Sequence, residues 1–313
     1  MEQTIVSAQL PVDETLEIQK NRITSGHGAG LNGKRLCVVT GTHGDELEGQ
    51  FVCWQLNRIL RENPTHLHGT VDIYPAMNPL GINTLTRGIP MFDLDMNRIF
   101  PGSENGAMAE YIAAGVMRDI QGADVCIDIH ASNIYLRELP QVRVSEDTAD
   151  TLLPLAKLLN VDFVWVHAAA TVLQSTLAHS LNMAGTPTLV VEMGVGMRIT
   201  EAYGMQLIAG ILNLMRHLGM WDGPVDPVRK PIISRDGKVS FINAGASGVF
   251  LPTARHNNEV APGQRLGVIA DPLSGDTREV LLCPTKGLLF TLREYPVVYE
   301  GSLIARVLGE VEA

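Results

Sequence analysis

No cluster of lysine or arginine stands out in this chain of 313 residues, and its net charge is −10. Nucleic acid and anionic membranes are therefore poor partners, because both demand a concentrated positive face. The opening Met1-Glu2-Gln3-Thr4 lacks the basic and apolar regions of a signal peptide. The most apolar helical candidate, 202–220, carries Arg216 and His217, so it reads as a core helix and not a membrane span. The four cysteines, Cys37, Cys53, Cys126 and Cys283, form no Cys-x-x-Cys pair. That argues against a cysteine metal or redox centre and for reduced, buried thiols in the cytoplasm. Internal repeats and low-complexity segments are also missing.

The composition, 45% hydrophobic and 19% charged, supplies ample core for one large domain or two. From residue 36 onward, apolar runs alternate with helical patterns. Strands are expected at 36–40, 70–74, 124–129, 163–167 and 188–192. Helices are expected at 46–61, 107–120, 148–159, 173–184 and 202–218. This alternation implies an α/β fold with a largely parallel sheet flanked by helices, whose chemistry gathers where strands end. Residues 1–35 read as irregular or short strands ending in a glycine-rich turn at 26–30. The segment 78–105 is long for a connector and holds Arg87, Asp93, Asp95, Asn97 and Arg98, which points to an ordered functional loop. After Trp221, Gly223-Pro224-Val225-Asp226-Pro227 reads as a linker. The expected organisation is an α/β domain over 1–222 and a small all-β domain over 230–313.

Three short stretches carry the chemistry: Gly41-Thr42-His43-Gly44-Asp45-Glu46, Asp128-Ile129-His130 and Val191-Glu192-Met193. Each follows or ends an apolar run. His43 sits in a glycine-flanked turn, Glu46 is expected in the first helical turn, and His130 arrives from a neighbouring strand end. Two imidazoles and one carboxylate make a catalytic zinc set with a coordination position left open, one ion per chain. A His-x-x-Glu pair alone occurs often by chance, and without chemistry Glu46 is an N-terminal helix acid. Three such stretches at three strand ends are more specific. Asp128 shares a strand face with His130 and is expected to orient His43. Glu192, a carboxylate closing an apolar strand, suits a general base with a raised pKa. Asn97 and Arg98 suit a terminal carboxylate, and Arg87 a polarised carbonyl. The alternative pairs both arginines with Asp93 and Asp95 as loop struts. His66, His68, His179, His217 and His256 read as structural or surface residues. His27 and His167 are placed at the border of a pocket or outside it with equal ease.

With these residues in hand, the chain resembles the succinylglutamate desuccinylase/aspartoacylase family, of the zinc carboxypeptidase-like clan. The matching stretches are Gly41 to Glu46, Asp93-Leu94-Asp95-Met96-Asn97-Arg98-Ile99-Phe100-Pro101-Gly102, Asp128-Ile129-His130 and Val191-Glu192-Met193-Gly194. The run 261–307 is similar to the β domain appended in that family. The resemblance implies zinc on His43, Glu46 and His130, and Glu192 as base and acid. It implies Asn97 and Arg98 as carboxylate binders and Arg87 as carbonyl polariser. It also implies a β domain near the active-site mouth that limits substrate size. Three departures stand out: Met96 replaces the usual leucine, Pro90-Met91 are inserted after Arg87, and no tyrosine lies between Tyr135 and Tyr203 to match the family's substrate tyrosine. The expected function is zinc-dependent hydrolysis of a small N-acyl amino acid or related N-acyl amine. A metallocarboxypeptidase acting on short peptides and a non-catalytic binding module on the same fold are the alternatives. A homo-oligomer is compatible with the sequence.

Overall fold

A computed structural model describes residues 1–25, 33–168, 174–235 and 239–309. The glycine-rich turn at 26–30, with His27, and the expected start of a helix at 173 lie outside these. The chain opens with β1 (Glu2–Gln9) and β2 (Thr15–Thr24), an antiparallel pair. It continues through β3 (Arg35–Thr40), α1 (Glu48–Glu62), β4 (Thr70–Tyr74), α2 (Pro79–Thr84) and α3 (Met108–Ile120). Next come β5 (Val125–His130), β6 (Leu136–Ser145), α4 (Ala149–Ala156), β7 (Phe163–His167), α5 (Leu177–Met183), β8 (Thr188–Gly194) and α6 (Glu201–His217). The remainder is all strand: β9 (Ile232–Arg235), β10 (Val239–Asn243), β11 (Gly248–Pro252), β12 (Glu259–Val260), β13 (Arg265–Ala270), β14 (Thr277–Leu282), β15 (Gly287–Arg293), β16 (Val297–Val298) and β17 (Leu303–Gly309).

The main sheet runs β1-β2-β4-β3-β5-β8-β6-β15-β17-β10, with β7, β9 and β12 paired off this path. Its centre, β4, β3, β5 and β8, is parallel. Parallel strands are covered on both faces, which is why they read as unbroken apolar runs. In β3, Leu36 and Val38 enter the core beneath α1 and α6, while Cys37 and Val39 enter the core beneath α3 and α5. Helix α1 meets the sheet with Val52, Cys53, Leu56 and Leu60, spaced three and four apart on one stripe. The α/β class expected from the sequence holds. The C-terminal all-β region divides. Strands β11, β13, β14 and β16 make a separate four-stranded sheet, whereas β10, β12, β15 and β17 hydrogen-bond into the main one.

Three details differ from expectation. The first 24 residues form two full strands. The loop after Asn78 contains helix α2, begun by an Asn-Pro pair in which Asn78 Oδ1 accepts from Gly81 N–H at 2.9 Å. Strand β6, which the sequence does not announce, links the parallel centre to β15 and so to the C-terminal region.

Candidate active site

The carboxyl ends of β3, β5 and β8 are neighbours, and the parallel register places His130 beside Glu192. After β3 the chain turns sharply. Gly41 adopts a φ of 71°, and a side chain on Gly44 would collide with the α2 backbone at Gly81. Helix α2 thus presses on this turn and holds His43 toward the strand ends. Glu46 lies just ahead of α1, which begins at Glu48 and not at 46, so the carboxylate comes from the turn itself. One ligand atom from each of His43, Glu46 and His130 lies within 4.8 Å of the others, and all three residues are buried.

Both imidazoles present Nδ1 to the same carboxylate. His43 Nδ1 is 2.7 Å from Glu46 Oε1, and His130 Nδ1 is 2.9 Å from Glu46 Oε2. The Ala131 N–H also donates to Oε2, at 3.1 Å. Both Nε2 atoms are backed by carboxylates: His43 by Asp95 at 3.0 Å and His130 by Asp128 at 3.2 Å. The expectation that Asp128 orients His43 is not met. Residues two apart on a strand share a face, so Asp128 serves His130 on its own strand, and Asp95 comes from the long loop to serve His43. Neither Asp128 oxygen finds a well-aligned hydrogen-bond donor despite full burial.

Electrostatics favour positive charge at this point. Burial disfavours charged His43, but the bonds to Asp95 and Glu46 outweigh it and raise its pKa. Burial likewise opposes charging of His130, and Asp128 and Glu46 carry its pKa well above the ordinary histidine value. Glu46 is pushed up by burial, yet His130 and His43 hold it far below the usual carboxylate range. Three carboxylates surround two imidazoles. A divalent cation answers that imbalance with the histidines neutral, so the residues present fit a metal of the zinc type.

The remaining expected residues line one cavity of about 610 Å³ together with the cluster. Glu192, 15% exposed, faces it, and Arg143 Nη1 lies 3.4 Å from its Oε1. Burial raises the Glu192 pKa, while Arg143 works against the rise. Arg87 donates from Nη1 to Glu46 Oε1 at 3.1 Å and from Nη2 to Asp95 Oδ2 at 3.4 Å. Arg98 donates to the Asn97 carbonyl at 2.7 Å and lies 3.9 Å from Asp95. Both guanidinium side chains stay 41% exposed on the cavity wall. Asn97 is buried, and its Oδ1 accepts from Leu177 N–H at 2.9 Å, tying the loop to α5. The arginines therefore contact Asp95 and line the cavity at once.

Sequence reasoning missed several lining residues. His179, read as structural, borders the cavity, and His167, which the sequence leaves open, borders it too. So do Glu138, Arg143 and, from the C-terminal region, Arg306. Asp95 was visible only as a loop acid. Its two-residue spacing from Asn97 is the one signal that would have flagged it, since its Oδ1 accepts from Asn97 N–H at 2.8 Å.

The family described as succinylglutamate desuccinylase/aspartoacylase catalytic domain matches residues 32–218, more than half of the chain. A relative in sequence, the N-alpha-acetyl-L-2,4-diaminobutyric acid deacetylase of Halomonas elongata, is 25% identical over 298 residues, spanning 90% of this chain and 84% of its own. The crystal structure of a succinylglutamate desuccinylase/aspartoacylase from Rhodobacter sphaeroides superposes with a TM-score of 0.82 at 24% identity, over 100% of this chain and 96% of that one. The product-bound ectoine utilization protein EutE (DoeB) from Ruegeria pomeroyi also reaches 0.82, at 19% identity, over 97% and 93%. At such identities these two structures speak for the fold.

Proposed function

The chain belongs to the succinylglutamate desuccinylase/aspartoacylase family, and from that premise we propose that it is a zinc-dependent deacylase of a small N-acyl amino acid or related N-acyl amine. The observation that carries the reading is the meeting of His43, Glu46 and His130 within 4.8 Å, with Glu192 in register beside His130. His43, Glu46 and His130 would hold one zinc ion per chain, which would supply a Lewis acid for the amide carbonyl. Glu192 takes a proton from the attacking water and returns it to the departing amine nitrogen. Its raised pKa suits both halves of that task. Arg87 steadies the negative charge that grows on the carbonyl oxygen. Arg98 grips the substrate carboxylate. Asn97, whose Oδ1 is already engaged, assists through its amide N–H groups.

The Halomonas elongata relative, named for deacetylating an N-acetyl amino acid, favours an acyl group on a small amine over a peptide. A cytoplasmic setting is supported by four free cysteines. Cys37 and Cys126 face each other across β3 and β5 and remain unbonded. No helix among the described residues is long and apolar enough to cross a membrane. Arg306, on β17, lines the cavity, which supports a role for the C-terminal region in bounding the substrate.

The test is a panel of N-acetyl, N-succinyl and N-formyl amino acids beside dipeptides, given to the zinc-loaded protein. Turnover concentrated in the N-acyl amino acids is expected. Faster cleavage of dipeptides would make the protein a carboxypeptidase, and binding without turnover would make it a binding module.

A further inference from the structure

Beside the metal cluster, the cavity wall holds a second set of charges that the reaction as described leaves unused. Its centre is Glu138 on β6, which is fully buried. Gln141 Nε2 donates to Glu138 Oε2 at 2.6 Å, and Arg143 Nη2 donates to the same oxygen at 2.9 Å. Arg306 Nη1, from β17, donates to Oε1, and Thr291 Oγ1, from β15, lies 3.5 Å from it. Glu138 is therefore anchored from three strands. Arg143 uses its other terminal nitrogen, Nη1, toward Glu192 Oε1 at 3.4 Å. One guanidinium spans a fixed carboxylate and the carboxylate assigned to proton transfer.

The backbone explains why this bridge exists. Strand β6 runs antiparallel to β8, with Gln141 opposite Glu192 and Arg143 opposite Val190. Arg143 and Glu192 are thus diagonal neighbours on one sheet face, within reach of a long side chain. The guanidinium of Arg143 also lies over the Trp165 ring, 5.9 Å from its centroid, and that of Arg306 lies 5.7 Å from the same ring. A planar fork clamped against an aromatic face has little room to swing. A glutamate carboxylate has a broad terminal torsion and needs such a partner to keep one orientation.

Resting on the reading of Glu192 as proton carrier, we infer that Arg143 is a positioning residue for it, braced by Glu138, Gln141 and Arg306. Arg143 engages Oε1 and leaves Oε2 to exchange the proton with water and amine. Through Arg306 and Glu138, the C-terminal strand β17 helps set the aim of a base that sits on β8.

The experiment is a double-mutant cycle on the full-length, zinc-loaded protein with its best N-acyl substrate. Arg143→Met lowers kcat about 100-fold, the usual cost of misplacing a reacting group by an ångström. Arg143→Lys keeps the charge opposite Glu138 but loses the two-pronged bridge, and costs about tenfold. KM and zinc content stay within about twofold of wild type in both. In a Glu192→Gln background, either substitution changes the residual kcat by less than about twofold, because the group it positions is gone. An equal loss in that background overturns the inference, as does a rise in KM with kcat unchanged, which would make Arg143 a substrate binder. If Arg143→Met fails to fold, Arg143→Lys carries the cycle alone. Near-normal turnover by Glu192→Gln itself is a separate result: it removes Glu192 as the proton carrier before any Arg143 variant is read.

Discussion

At the scale of single residues, Asp95 does more than its place in a loop implied. It receives His43 Nε2 at 3.0 Å and Asn97 N–H at 2.8 Å, and it touches both Arg87 and Arg98. Burial favours its neutral form, but His43, Arg87 and Arg98 hold its pKa well below the normal range. One carboxylate thus sets an imidazole of the candidate metal site and two arginines on the cavity wall. Asp95→Ala should weaken zinc binding about 10- to 100-fold, the usual effect of losing such a backing group. Competition against a chromophoric chelator measures this, and an unchanged affinity would show that His43 needs no support. Arg98 makes a different prediction. Charge-assisted hydrogen bonds contribute about 1.5–3 kcal/mol, so Arg98→Ala should cost about 10- to 100-fold in kcat/KM on a substrate with a free carboxylate. On the neutral amide of that substrate the cost should nearly vanish. Equal losses on both would make Arg98 a loop strut.

At the scale of elements, what was legible in the sequence followed from local pattern. The parallel strands β3, β5 and β8 are apolar because both faces are covered, and the candidate metal-site residues and Glu192 stand at or just beyond their ends, so position and chemistry could be read together. Strand β6 could not be read this way. Its sequence holds Arg137, Glu138, Pro140, Gln141 and Arg143, and a central proline with several polar residues argues against a strand. The structure accommodates Pro140 in a register irregularity between Glu138 and Gln141. It buries Glu138 by pairing it with residues from β6, β15 and β17, a fact absent from any local window. Strand β2 was obscured similarly, since Lys20 takes an inward position next to Leu16 and Ile18. Its ammonium pairs with Asp119 at 2.7 Å and Asp72 at 3.3 Å. Asp72, fully buried on β4, also meets Arg22 and Arg35, each at 2.7 Å. Burial raises its pKa, but Arg22, Lys20 and Arg35 more than reverse this, so the folded value lies below the unfolded one. A depressed carboxylate stabilises the fold above its unfolded pKa of about 4 and loses that contribution as pH falls through the folded value. Asp72→Asn should therefore destabilise by about 3–5 kcal/mol at neutral pH, as expected when one partner of a buried ion pair is removed. The difference from wild type should shrink below about pH 4. Urea unfolding at several pH values tests it, and a constant difference across that range would deny Asp72 its ionic role.

At the scale of the molecule, the fold brings the ends of β3 and β5 together to make the candidate metal cluster, with Glu192 of β8 beside it, and then extends the same sheet through β6 into the C-terminal region. That continuity lets Arg306 border the cavity opened by the N-terminal ligands. The sequence announced the α/β part and the all-β part, but the strand that sews them together is the one it concealed. We propose that the meeting of His43, Glu46 and His130 holds a catalytic zinc. The most direct test is metal content and activity measured together on the purified protein, before and after chelation, with His130→Ala alongside. The expected result is about one zinc per chain, activity lost to the chelator and restored by Zn²⁺, and a His130→Ala variant that folds but retains little metal. A wild-type protein that is fully active and free of metal would contradict it.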